Sequence, residues 1–324
     1  MASTTLHTKG PANVDSLLAT TRELILESKE LLNDAIFNKI PLLNWLNTKA
    51  RVSKQGGASI LIPLLYGKNN TFAAYNGDDI ISTQGQEGMT MAQFPWRNIA
   101  GTIKYNGDEI RQNAGQGKLK DLAKAKVVQA MMSAKDKLST DLNASTQASK
   151  AVSCLPVLVD ATSTVADINS TTYSWWGAQV TASGSFAARG LADLRTLRDN
   201  IMQNGQGGTS APDYYLTTAL VKQYYEASQV PQLRYENNSA ADASFDNLKF
   251  SAGVMEFDPN VASGELYALN SESLEFVVHS DADWAMGEFI EPANQDAKIA
   301  KLIWMGNLCT NNRRKLGKLT GVTA

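Results

Sequence analysis

Residues 57–105 read GASILIPLLYGKNNTFAAYNGDDIISTQGQEGMTMAQFPWRNIAGTIKY, and Asn106-Gly107-Asp108-Glu109 follow. The stretch contains four β-type runs: Ser59 to Tyr66, Thr71 to Tyr75, Met89 to Trp96 and Ile99 to Tyr105. Asn69-Asn70, Asn76-Gly77 and a Gly-, Gln- and Ser-rich segment from about Asp78 to Gly88 separate them. The pattern predicts hairpin arms with a long polar tip, and an excursion of that kind is uncommon unless it docks elsewhere. Tyr66, Phe72, Tyr75, Phe94 and Trp96 all fall on this arm. In a compact monomer they would be core residues. A thin ribbon cannot bury two faces within itself, so the competing expectation is that they contact another subunit.

Upstream, residues 1–15 are polar, and Leu17, Leu18, Leu24, Ile25, Leu31 and Leu32 then recur at helical spacing. Downstream, Lys118 to Leu142 is the longest helical candidate, with Ala123, Val127, Met131, Ala134, Leu138 and Leu142 on one stripe. Its other faces carry Lys118, Lys120, Lys124, Lys126, Lys135 and Lys137 against Asp121 and Asp136, six positive minus two negative, or +4. A solvated face is the ordinary reading of such a charge run; clustered Lys can also bind phosphates without reading sequence. Beyond a Ser-, Thr- and Ala-rich stretch anchored by Trp175-Trp176, Ser185 is placed to cap a helix with the stripe Leu191, Leu194, Leu197 and Ile201. A short strand, Asp213 to Leu216, leads into a helix from Thr218 to Ser228. β-runs return at Gly253 to Phe257, Glu265 to Leu269, Leu274 to His279 and Ala297 to Cys309, before a basic tail at Arg313-Arg314-Lys315. The order predicts an α+β protein with a domain boundary near Ala151.

The 324 residues are 43% hydrophobic and 19% charged, enough for one large or two smaller domains. Thirty Lys and Arg against 32 Asp and Glu give a net charge of −2, which disfavours general nucleic-acid binding. The apolar runs fall far short of the roughly 20 residues that cross a bilayer, and no secretion signal is seen at the N-terminus. A soluble cytosolic chain with reduced cysteines is expected, although a Cys154–Cys309 bridge is open to it.

Catalytic motifs fail on inspection. Two histidines, His7 and His279, and two isolated cysteines do not make a zinc or iron site. No Ser sits in Gly-x-Ser-x-Gly, so His279 with Asp281 and Asp283 has no placed nucleophile. Around Gly115-Gln116-Gly117-Lys118-Leu119, Gln112 and Leu119 stand where a phosphate loop needs Gly and Ser or Thr. No catalytic residue, cofactor or metal is expected.

The order of motifs resembles the major capsid protein family of tailed bacteriophages, which shares the Hong Kong 97 fold. The resemblance is carried by Asp34-Ala35-Ile36-Phe37 with Pro41-Leu42-Leu43, Gly56-Gly57-Ala58-Ser59-Ile60, Pro63-Leu64-Leu65-Tyr66 and Phe94-Pro95-Trp96. It resumes at Asn106-Gly107-Asp108-Glu109, Gly264-Glu265-Leu266-Tyr267-Ala268-Leu269-Asn270 and Gly306-Asn307-Leu308. It implies an N-terminal arm over residues 1–54, an extended β-hairpin loop over 55–105 and a peripheral domain with a spine helix over 106–149. An axial domain over 150–285 would follow, then returning peripheral strands and a tail over 286–324.

The implied function is an icosahedral shell subunit and not an enzyme, assembled in the host bacterial cytoplasm and residing in the virion capsid. Its partners would be its own copies in pentamers and hexamers, packaged double-stranded DNA, a separate scaffolding protein, a portal and decoration proteins, with no membrane. Tyr66, Phe72, Tyr75, Phe94 and Trp96 would be intersubunit contacts, and Lys118, Lys120, Lys124 and Lys126 lumen-facing cations. The alternatives are an encapsulin-like compartment shell and a hydrolase built on His279, Asp281 and Asp283.

Overall fold

The computed structural model describes residues 40–112, 116–204, 211–233 and 248–324. The amphipathic helix expected at Leu17 to Leu32 lies outside them. The described helices are α1 (Pro41–Trp45), α2 (Gly107–Gln112), α3 (Gln116–Leu142), α4 (Leu155–Leu158), α5 (Leu191–Asn204) and α6 (Ala219–Leu233). Two small ribbons stand apart from the main sheets: β2 (Ser59–Leu65) with β3 (Met89–Pro95), and β5 (Thr164–Val165) with β6 (Ile168–Asn169).

One main sheet runs β1 (Arg51–Lys54), β12 (Leu274–His279), β14 (Ala297–Thr310) and β13 (Ala285–Met286), with β4 (Arg97–Asn106) also paired to β14. The other runs β7 (Gln179–Ala182), β15 (Gly317–Thr320), β11 (Leu266–Leu269), β8 (Tyr214–Thr217), β10 (Gly253–Phe257) and β9 (Lys249–Phe250). The 14-residue β14 organises the first sheet. Ala297 to Gly306 pair antiparallel with Asn106 to Arg97, and Gly306 to Thr310 pair with Val278 to Leu274.

The helical stripe on α3 is buried as its spacing predicts: Val127, Met131, Leu138 and Leu142 enter a core shared with the first sheet and the inner face of the β2–β3 ribbon. A second core forms where Leu194, Leu197 and Ile201 of α5 and Val221 and Tyr225 of α6 meet the second sheet. Gly317 of β15 is needed there, because a Cβ would lie 2.8 Å from the methyls of both Leu197 and Ile201.

Several local expectations are corrected. Thr71 to Tyr75 is not a strand. Asn69 Oδ1 accepts from both the amide and the hydroxyl of Thr71, at 2.9 and 2.6 Å, and such side-chain bonds compete with a ladder. Asn106-Gly107-Asp108 opens the short α2 and not the long helix, held by Gly107 N–H on Asp296 O at 2.9 Å. Ser185 makes no side-chain cap, and a turn of π-helix at Phe186–Gly190 stands between it and α5. Cys154 and Cys309 are both buried and free.

The sheets also cut across the expected domain limits. β12, inside 150–285, belongs to the sheet of β4 and β14, whereas β15, inside 286–324, pairs with β11 and β7. Strand partners far apart in sequence decide this, and hydrophobic periodicity carries no information about them.

Candidate assembly surface

The β2–β3 ribbon is in register from Ser59↔Pro95 to Leu65↔Met89. Successive side chains of a strand point to opposite faces. One face, Ile60, Ile62, Leu64, Ala92 and Phe94, is buried against the body of its own chain. The other, Leu61, Leu65, Met89 and Met91, is as apolar and lies exposed. Pro63 sits opposite Met91 on that outer face and continues it.

At the far end the amides of Tyr66 and Gly67 both donate to Gly88 O, at 2.9 and 3.2 Å. Gly67 and Gly88 pinch the loop shut, for a Cβ on either would lie 3.0 Å from the other's backbone. Beyond the pinch, Asn76 N–H donates to Asp79 Oδ2 at 2.8 Å and Asp79 N–H to Asn76 O at 2.7 Å, a local turn that faces Tyr75 and Ile80 outward. Phe72 is 87% exposed, Tyr75 68% and Ile80 98%.

The five aromatic residues named from sequence thus separate. Phe72 and Tyr75 stand free in solvent. Tyr66 is partly exposed and stacks on Trp175, centroids 5.0 Å apart. Trp96 works at the ribbon's root: its indole donates to Gly57 O at 2.9 Å and its ring meets His279 edge-on at 5.5 Å. Phe94 is a correction, only 2% exposed, because its position in β3 falls on the inward face. The exposed Leu61, Leu65, Met89, Met91, Ile80 and Ile81 were not singled out. The usable signal was that both alternations of Ser59 to Leu65 are apolar, whereas an isolated ribbon lying on a body buries only one.

Lys126 is likewise not a free cation facing nucleic acid. Its ammonium pairs with Glu109, donates to Lys104 O at 3.0 Å and lies 5.3 Å from the centroid of the Tyr105 ring. The hydrogen bond from Lys126 holds the Glu109 carboxyl below its usual range. Lys137 pairs with Asp141 at 2.7 Å and Lys135 is buried. The side chains of Lys118, Lys120 and Lys124 lie outside the described residues.

The Arg313-Arg314-Lys315 tail is also different from its reading. Arg313 is wholly buried in a 3-10 turn and donates to Leu158 O at 2.8 Å, Asp160 O at 2.6 Å, Ser170 Oγ at 2.6 Å and Ser163 Oγ at 2.7 Å. Burial pushes its pKa down to about 10, so the guanidinium is still charged at neutral pH.

His279 does not assemble a catalytic relay. Its Nδ1 and Nε2 face the amides of Asp281 and Gly56, at 3.2 and 3.3 Å. The Asp283 carboxylate pairs with Arg51, and Asp281 accepts from Ser280 at 3.2 Å. Among the described residues no helix is long and apolar enough to cross a membrane.

No protein-family model matches the chain, and no curated protein matches it. Solved structures do. The capsid asymmetric unit of cyanophage A-1(L) aligns at a TM-score of 0.63 and 14% identity, over 87% of this chain and 93% of that one. The capsid of Myoviridae phage XM1 aligns at 0.56 and 13%, over 86% and 91%. The satellite phage P4 procapsid, solved with its size determination protein, aligns at 0.52 and 9%, over 94% and 97%. The chain therefore has the fold of phage capsid proteins, a mixed helix-and-sheet architecture.

Proposed function

We propose that the chain is the major capsid protein of a tailed bacteriophage, a structural subunit and not an enzyme. Copies would associate as pentamers and hexamers and close into an icosahedral shell around double-stranded DNA. The observation that carries the reading is the second apolar face of the β2–β3 ribbon. Leu61, Leu65, Met89 and Met91 form a contiguous outward patch that the rest of the described residues leaves uncovered. Exposed apolar groups of this extent on a monomer mark an interaction surface. A protruding ribbon that meets a different surface of the next copy makes heterologous contacts, and these close into rings when the rotation allows.

The fold likeness to phage capsids supports the same reading. A near-neutral chain also suits a container, since a strongly basic lumen would hold DNA during filling. A separate scaffolding protein, a portal and decoration proteins belong to this proposal, as does assembly in the host bacterial cytoplasm.

The test is electron microscopy and sedimentation of the purified full chain, alone and co-expressed with the scaffolding protein. Closed particles are expected. A strictly monomeric chain at high concentration under both conditions would sink the proposal. Mass spectrometry and nuclease treatment of the contents then separate a DNA container from an enzyme-holding compartment.

A further inference from the structure

A short sequence recurs almost unchanged in two places: Tyr75-Asn76-Gly77-Asp78-Asp79-Ile80 at the hairpin tip and Tyr105-Asn106-Gly107-Asp108-Glu109-Ile110 across the junction of β4 and α2. Both copies make the same local bond. Asn76 N–H donates to Asp79 Oδ2 at 2.8 Å, and Asn106 N–H donates to Glu109 Oε2 at 3.2 Å. Their glycines differ. Gly107 is buried, its amide donates to Asp296 O at 2.9 Å, and an added Cβ would collide with the Asp296 carboxylate. Gly77 is exposed, an added Cβ there would meet nothing within 4 Å, and its amide faces Oδ1 of Asn76 at 3.1 Å.

Asparagine is chemically labile, and a following glycine leaves it most open to attack, because no Cβ shields the glycine nitrogen and its backbone turns freely. Two conditions remain: the nitrogen must lie beside the asparagine side chain and must not be held elsewhere. Gly77 meets both, since Asn76 Cγ carries the oxygen that its amide already faces. Gly107 meets neither, being committed to Asp296 O in a crowded site.

We infer that Asn76 is a site of spontaneous deamidation, and that Asn106, in the same local sequence, is protected by its place in the fold. The Gly77 nitrogen attacks Asn76 Cγ, its proton passes to solvent, and the Cγ bond to the side-chain nitrogen breaks as ammonia leaves. Water then opens the cyclic imide at one carbonyl or the other, giving aspartate or isoaspartate. Ammonia is lost, water is gained, and no atom changes oxidation state. Each event adds one negative charge to a tip where Asp78, Asp79 and Glu87 already outnumber Lys68, and isoaspartate also lengthens the backbone between Tyr75 and Ile80. The inference stands apart from the shell reading.

The test follows both sites in one sample. Free subunits of the full chain, separated from any particles by sedimentation, are held in mildly alkaline buffer, digested with trypsin and followed by mass spectrometry with isoaspartate-specific fragment ions. Asn76 should gain the mass of an amide-to-acid change at least about tenfold faster than Asn106, because Gly107 is released only by local opening of the β4–α2 junction. In concentrated urea the two rates should converge, since the flanking residues are nearly the same. Equal rates in the folded chain, or no conversion at Asn76, would overturn the assignment. A gap that persists undiminished in urea would overturn it too, by tracing the difference to something other than the fold.

Discussion

Two regions of this molecule break the usual sorting of side chains, in opposite directions. The ribbon and tip, residues 57–96, hold Leu65, Met89, Phe72 and Ile80 in water. The loop from Leu155 to Ser170 closes over Arg313, a guanidinium at 0% exposure. A buried charge is tolerable only when its donors are met, and here the chain meets them itself with carbonyls and hydroxyls. The exposed ribbon face has no such answer among the described residues. The difference teaches where the described chain satisfies its own side chains: around Arg313 it does, and at the ribbon it leaves an apolar face in water that the proposed shell would cover.

The largest effect on the subunit itself should come from Arg313→Ala. It leaves Leu158 O, Asp160 O and the Ser163 and Ser170 hydroxyls without their donor, and should cost about 3–5 kcal/mol in urea unfolding. Arg313→Lys should rescue little, because one ammonium cannot reach acceptors spread around a planar fork. A loss below about 1 kcal/mol would refute the view that Arg313 holds this loop. Next comes Phe94→Ala, which empties a core position on the ribbon's inward face and should cost about 3 kcal/mol or more.

Much of the architecture was legible in sequence because it is periodic. The α3 stripe, the helix behind Leu191 to Ile201, and strands β10, β11, β12 and β14 all lie within a few residues of where their spacing puts them. The ribbon's arms were legible too, but which arm residues face solvent was not. Phe94 and Phe72 look alike in the sequence, and only the register Ile60↔Phe94 puts one of them indoors. Arg313 was illegible for a sharper reason. Beside Arg314 and Lys315 it looks like a solvated tail, and its acceptors come from residues about 150 positions away. β7 and β15 went unread because QVTA and GKLT lack the apolar run that marks the equally short β8 and β11.

A smaller effect, with a sign set by pH, belongs to the joint between α3 and the turn after β10. There Asn260 donates to Ser139 Oγ at 2.8 Å, and the buried Asp258 accepts from Asn260 N–H at 2.9 Å. Among the described residues Asn143 Oδ1 is buried without a partner, and burial raises the Asp258 pKa against the opposing pull of hydrogen bonds from Asn260 N–H and the Asn143 side chain. The folded chain thus keeps a proton that the unfolded chain releases. Stability is full below the ordinary aspartate pKa and declines as pH rises through the raised folded value. Asp258→Asn keeps an acceptor and adds an N–H for Asn143, so its urea midpoint should stay flat across that window where the parent's falls. Parallel declines in both chains would show that Asp258 is not the group responsible.

The smallest effect on the subunit is the one that bears hardest on its purpose. Phe72 is 87% exposed, so Phe72→Ser should leave the unfolding midpoint within about 0.5 kcal/mol of the parent. If the tip's apolar groups are there for a neighbour, the same substitution should lower the yield of closed particles in sedimentation and shift the material toward free subunits. Phe94→Ala should do the reverse, weakening the fold first and assembly only as a consequence. A Phe72→Ser chain that assembles as well as the parent, with Tyr75→Ser and Ile80→Ser equally silent, would mean that the exposed tip is idle, and the contrast between a self-sufficient core and a dependent ribbon would shrink to the outer face of β2 and β3 alone.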